Sequence, residues 1–439
     1  MFPFWRGVGA RLKVRLERAS GRLAFRIAVA ALLASLHLVA FWYAGHDRLG
    51  VAFDSQPDHA PMFSDVRAPV LVPPPRQPHY WPRLIVSRFD AQHYIAMGVR
   101  GLAACPTDGD TATDMEYLQC GLGWLPAWGV IGGSVARTTG LPVDWALVLL
   151  SVLCAIIVNT LWTSKPIADR IGRLEAYGAL IAFNCYPPAF HMVTPYTEAA
   201  TLALTLGGYL LITYDRWWLA SLCIGATTAL RPHAVAYTFA FGFAALAGAW
   251  QKRKQGAPRW WMPLASCSLA GWGQLATMLA LEIYVGDAWA FFRARHAFGD
   301  KHSFERLYDG ASYIASLGGQ NMDGVMWIAL VGIVLLVYRD VLRPLPATEL
   351  AFLVGGGAIT AAFAMVAPLL AWGIARYMML FVVGFLCAGK LMRKYPLLFV
   401  LWIVFCLAIY WELEMCNYIS QGDPRICDCQ GRLETFLRY

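Results

Sequence analysis

Asp90, His93 and Tyr94 stand at i, i+3 and i+4 in the stretch from Ser87 to Leu102, SRFDAQHYIAMGVRGL. Read as a helix, this spacing puts a carboxylate, an imidazole and a phenol on one face, the group types that hold or transfer a proton. Ile95, Met97 and Val99 then face a membrane or a protein wall. The pattern suits a surface amphipathic helix with a solvated aspartate equally well, so its surroundings have to decide. Four arginines, Arg231, Arg293, Arg295 and Arg376, and a second acid, Glu198, complete the chemistry-bearing set. Guanidinium groups hold phosphates through paired hydrogen bonds, and they also snorkel to lipid headgroups.

The elements that position these residues are set by composition. The chain has 439 residues, 58% hydrophobic and 15% charged, with a mean hydropathy of +0.49. These fractions depart far from those of soluble domains and indicate an all-α polytopic membrane protein. Its 18 Trp, 19 Tyr and 23 Phe suit many membrane interfaces. The net charge of +8 is scattered over short loops between apolar runs, which argues against a nucleic-acid partner.

Residues 1–22 form a basic segment, with Arg6, Arg11, Lys13, Arg15, Arg18 and Arg22 against the single acid Glu17, and the positive-inside rule makes this end cytoplasmic. The apolar run that follows reads as an uncleaved first span at about 23–44. Residues 45–120 lack a spanning run and are rich in proline, so they form a long first outside loop that carries Asp90. Leu122–Ala136 is short for a span and reads as a helix lying against or dipping into the outer leaflet. Further spans are expected at 143–163, 174–192, 197–214, 217–233, 234–250, 260–284, 324–338, 348–368, 372–389 and 396–413. With the first they make about eleven and define a transmembrane domain over 23–413. A second large outside loop covers 285–323, and an outside tail runs over 414–439. Lys301 apart, the lysines fall in segments assigned inside.

Cysteine usage agrees with this map. Cys154, Cys185, Cys223, Cys267, Cys387 and Cys406 fall in spans, whereas Cys105, Cys120, Cys416, Cys427 and Cys429 fall outside. In an oxidising compartment Cys105 and Cys120 can close a loop, and two of the three tail cysteines can pair. Cys427-Asp428-Cys429 has no histidine nearby, which favours a disulfide over zinc. Asp108, Asp110, Asp114 and Glu116 read as a solvated loop rather than a divalent-cation site, so no cofactor is expected. No Gly-rich nucleotide loop of Walker or dinucleotide type is present.

Taken in order, Arg88-Phe89-Asp90-Ala91-Gln92-His93-Tyr94-Ile95-Ala96, Leu125-Pro126-Ala127-Trp128, Tyr186-Pro187-Pro188-Ala189-Phe190 leading into Thr194-Pro195-Tyr196-Thr197-Glu198, Arg231-Pro232, Ala290-Phe291-Phe292-Arg293-Ala294-Arg295-His296 and Ala375-Arg376-Tyr377 lie on the predicted outer side. This order resembles the PIG-V family of mannosyltransferases, which has bacterial relatives, within the GT-C glycosyltransferases. The likeness covers about residues 85–380, and the family has Trp where this chain has Phe89. The resemblance implies a GT-C fold of about eleven helices and an inverting transfer of a sugar, with mannose the leading candidate. The sugar would pass from a polyprenyl-phosphate donor to a lipid or glycan acceptor on the outer face.

It further implies Asp90 as the general base of the first outside loop. Around it, His93 either orients Asp90 or meets donor phosphate, or is a satisfied interfacial histidine. Arg231, Arg376, Arg293 and Arg295 are the candidates for donor phosphate. Glu198, Tyr196 and Tyr94 are the candidates for sugar or acceptor, with a plain helix-start carboxylate the other reading of Glu198. The absence of an evident eukaryotic retention signal points to a bacterial inner membrane with the site on the periplasmic face. A lipid or glycan transporter or flippase, or a GT-C-like glycan polymerase or ligase, are the competing classes. A transporter would carry inverted repeats and ionisable groups at the bilayer midplane, whereas the polar residues here gather at the outer edge.

Overall fold

The computed structural model describes residues 22–45, 90–107, 112–297, 322–366 and 374–409, which are helical with no strand among them. The basic amino-terminal segment, most of the first outside loop, Lys301 and the tail with Cys416, Cys427 and Cys429 lie outside the described residues. In chain order the helices are α1 (Leu23–Gly45), α2 (Asp90–Arg100), α3 (Asp114–Gln119), α4 (Ala127–Thr139), α5 (Val143–Trp162), α6 (Lys165–Ile171), α7 (Arg173–Cys185), α8 (Glu198–Thr213) and α9 (Trp217–Thr227). They continue as α10 (Val235–Lys254), α11 (Met262–Ser266), α12 (Trp272–Val285), α13 (Ala290–Ala297), α14 (Met322–Val341), α15 (Ala347–Val366), α16 (Ile374–Met378), α17 (Val382–Lys394) and α18 (Pro396–Ile409).

Every apolar segment expected to span contains a helix, and four stretches are long and apolar enough to cross a membrane: Leu23–Tyr43, Val143–Trp162, Pro232–Lys254 and Met262–Val285. Several others are cut short for identifiable reasons. The run at 174–192 ends as α-helix at Cys185, because Pro187 and Pro188 turn the chain into a buried 3-10 segment, Pro187–Val193. The run at 372–389 breaks at Met379–Phe381 between α16 and α17. There the Tyr237 hydroxyl donates to the Leu380 carbonyl, satisfying an acceptor freed by the break.

Large apolar side chains face outward in helical spacing, such as Leu149, Leu153 and Ile157 on α5 and Leu275, Leu279 and Ile283 on α12. Polar groups are turned inward instead, the reverse of a soluble bundle. Asn159 and Asn184 pair through their side-chain amides, and His37 of α1 bonds to Asn184. Such pairing is what a polar side chain requires away from water.

Helix α2 packs on α4 and α5, α8 on α9, α10 on α15, and α14 and α7 on α17. The α2–α4 contact is a glycine seam. A Cβ at Gly129 would come within 2.5 Å of the Tyr94 carbonyl, and one at Gly133 would collide with the Gly98 backbone. Small residues here let α2 lie against the bundle and fix where Asp90 stands.

Ion pairs join groups from segments that the charge rule assigns to one side. Arg170 pairs with Glu349, Lys252 with Asp215, Arg393 with Glu175 and Lys394 with Asp340, the cations all from segments assigned inside and Glu175 and Glu349 at the adjoining ends of expected spans. The pairs of Asp90, Asp114 and Glu198 use cations assigned outside.

Candidate functional site

Asp90 occupies the first turn of α2, where the helix dipole favours a carboxylate. Its Oδ2 accepts from Arg376 Nη2 at 2.7 Å across 286 positions of sequence. Arg376 Nε lies 2.9 Å from Glu198 Oε1, at the start of α8. The same Glu198 oxygen is 2.7 Å from Arg231 Nη1. Arg231 precedes Pro232, which stops the chain beyond α9 from continuing as a helix. The result is an alternating chain, Asp90–Arg376–Glu198–Arg231, of two carboxylates and two guanidinium groups.

Aromatic rings hold the cations in place. The Arg376 guanidinium lies 5.2 Å from the Tyr196 ring and 5.7 Å from Tyr377, and Arg231 lies 5.1 Å from Tyr377. His191 and His233 back these rings, at 4.7 Å from Tyr196 and 4.3 Å from Tyr377. Tyr94 shares a side-chain hydrogen bond with Thr197, beside Glu198. On the other side of Asp90, the Trp124 side chain hydrogen-bonds the carboxylate and stacks on His93 at 3.4 Å.

Exposure is unequal along the charge chain. Glu198 and Arg231 side chains are 2% and 5% exposed, against 24% for Asp90 and 20% for Arg376. The first pair is sealed, and the second is part-buried. Burial alone would raise the Asp90 pKa. The Arg376 charge and hydrogen bond outweigh it, with Trp124 and His93 assisting, and hold the carboxyl well below its usual range. Burial pushes His93 down to about 4 against the pull of Asp90, so the ring is neutral near pH 7.

These shifts fix a pH dependence. Both groups bind fewer protons folded than unfolded, so the stability they contribute is present above their unfolded pKa values and is lost as pH falls through the folded ones. For His93 the window runs from 6.5 down to about 4. Wild-type protein is expected to lose up to about 3 kcal/mol across that window. Thermal melts at a series of pH values check this, and His93→Gln is expected to flatten the slope.

Of the residues singled out by sequence, Asp90, Glu198, Arg231, Arg376, Tyr196, Tyr94 and His93 come together. Arg293 of α13 is engaged elsewhere, 2.8 Å from both Asp114 and Asp287 and stacked over Tyr117. With His296 lying 3.5 Å from Asp114, it ties α13 to α3. Arg295 runs along Gly123, next to Trp124. Glu116 forms a capping box with Thr113 at the start of α3. Cys105 and Cys120 are joined in a disulfide that closes the loop carrying α3.

Trp124, Tyr377 and Thr197 were not among the sequence candidates. Trp124 sits in a piece whose composition speaks only of a membrane surface, and Tyr377 is marked only by its place beside Arg376.

An apolar cavity of about 360 Å³ lies between α4, α9 and α12, and none of Asp90, Glu198, Arg231 or Arg376 lines it. Leu230, next to Arg231, lines it together with Ala127, Ala229, Ala276 and Ala280. No family model matches the chain, and no curated protein or solved structure matches it either.

Proposed function

We propose that the chain is an inverting integral-membrane glycosyltransferase of GT-C type. It moves a sugar, with mannose the first to test, from a polyprenyl-phosphate donor to a lipid or glycan acceptor on the outer face. The observation that carries this reading is the Asp90–Arg376–Glu198–Arg231 chain, in which a part-buried carboxylate stands beside guanidinium groups, with Leu230, next in sequence to Arg231, lining an apolar cavity. About eleven crossings are proposed, with the amino terminus inside, on the bacterial inner membrane. The same-side ion pairs support that topology, and a reporter fused beyond α18 tests it by working outside.

The chemistry assigned to each group follows from its type. Asp90 Oδ2 accepts the proton of the acceptor hydroxyl as its oxygen forms the new bond to the anomeric carbon. On the opposite face of the sugar, the bond from that carbon to the phosphate oxygen breaks, and its electron pair leaves with the polyprenyl phosphate. Arg376 and Arg231 hold the charge that develops there. Glu198 fixes both guanidinium groups, Tyr196 and Tyr94 border the sugar, and neutral His93 with Trp124 orients Asp90.

Purified protein given polyprenyl-phosphate mannose and an acceptor panel is expected to transfer the sugar. Failure with every polyprenyl-phosphate sugar would contradict the reading. The cavity carries its own prediction. Ala276→Trp fills it and is expected to raise KM for the donor about tenfold while leaving the acceptor KM unchanged, as loss of apolar burial for one substrate requires. Steady-state kinetics with each substrate varied separately would show an equal rise in both if the cavity were irrelevant to the donor.

A further inference from the structure

We propose that donor phosphate competes with Asp90 for Arg376, so that the base is released only when the donor is bound. This rests on the glycosyl-transfer reading. Asp90 Oδ2 accepts from Arg376 Nη2 at 2.7 Å. A carboxylate so held is a weak base with its lone pair engaged. The geometry identifies which contact of Arg376 can exchange. Its Nε faces Glu198 at 2.9 Å as an ion pair, with that carboxylate 2% exposed and 2.7 Å from Arg231, whereas its Nη2 donates to Asp90, which is 24% exposed. The guanidinium group also lies 5.2 Å from the Tyr196 ring and 5.7 Å from the Tyr377 ring, cation–π contacts that persist when Nη2 changes partner.

An incoming phosphodiester monoanion therefore replaces the Asp90 carboxylate at Nη2. Asp90 keeps its contact to Trp124 and turns its freed oxygen to the acceptor hydroxyl. As the bond from sugar to phosphate breaks, the phosphate gains negative charge and its hold on Arg376 strengthens, while Asp90 takes the proton. When polyprenyl phosphate departs, Arg376 returns to Asp90 and the proton passes to water. The site is thereby reset, and acceptor or water is not activated before a donor is in place.

The test is a double-mutant cycle on the affinity for polyprenyl phosphate, the product, which carries the same phosphate as a monoester with up to one further negative charge. Asp90→Asn removes the competitor and is expected to bind it about tenfold tighter than wild type, as gain of a charge-assisted hydrogen bond predicts. In an Arg376→Ala background the same substitution is expected to change affinity less than about twofold. Equal tightening in both backgrounds would mean simple charge repulsion and would overturn the exchange, as would no tightening in either. Wild-type protein that binds no polyprenyl phosphate would remove the glycosyl-transfer reading together with the inference. A structure of the wild-type protein with polyprenyl phosphate needs no variant to fold. It is expected to show the 2.7 Å contact broken, and an intact contact beside bound phosphate would overturn the proposal.

Discussion

Arg376→Ala is expected to lower kcat/KM for the donor by about 10²–10³-fold, the range for loss of one preorganised electrostatic group in a transition state. Four contacts concentrate the effect on this side chain. It bonds Asp90, it lies 2.9 Å from Glu198, and it stacks near Tyr196 and Tyr377. Arg376→Lys keeps the charge but loses the planar fork, and is expected to recover less than about a tenth of the lost rate. Full activity in the lysine variant would reduce the role of Arg376 to a diffuse positive charge. Steady-state assays of both variants, with folding checked by size exclusion in detergent, decide between these.

The second large effect is on stability. Glu198 is the sole carboxylate among the described residues paired with Arg231, and it shares Arg376 with Asp90. Glu198→Ala leaves the 5%-exposed Arg231 without its counter-charge, and breaking a buried pair from one side costs about 3–5 kcal/mol. For a chain of this size that corresponds to a fall in Tm of roughly 5 °C. Glu198→Gln keeps the shape and one acceptor, and is expected to cost less. The opposite outcome, an unchanged Tm for Glu198→Ala, would mean that water reaches Arg231 freely.

Both predictions rest on contacts that local sequence pattern does not encode. The depth and side expected for Asp90, Glu198, Arg231 and Arg376 come from hydropathy and lysine placement, because apolar runs and charge asymmetry are local properties. That Asp90 would meet Arg376 does not follow, since the pair is separated by 286 positions and assembled by the packing of α2, α8 and α16. Arg293 and Arg376 look alike as outside cations. Only the fold gives one to Asp114 and Asp287, and the other to Asp90 and Glu198.

Helix continuity was legible only in part. Prolines 187 and 188 mark one interruption in plain view. The break at Met379–Phe381 has no such mark, and is supported by Tyr237 from a distant helix. The glycine seam of α2 and α4 belongs to the same class. Gly98, Gly129 and Gly133 acquire their meaning only once two backbones touch. Cys105 and Cys120 were easier, because they lie close in sequence on the side predicted to be oxidising, and they are joined.

The central claim is that Asp90 takes the acceptor proton. Sugar transfer from polyprenyl-phosphate mannose by wild-type protein and by Asp90→Asn, with polyprenyl-phosphate binding measured in parallel, tests it most directly. Transfer is predicted to fall by at least about 10²-fold while binding is retained or tightened, as removal of a general base requires. Transfer by Asp90→Asn at the wild-type rate would contradict the assignment and leave Glu198 as the acid to examine.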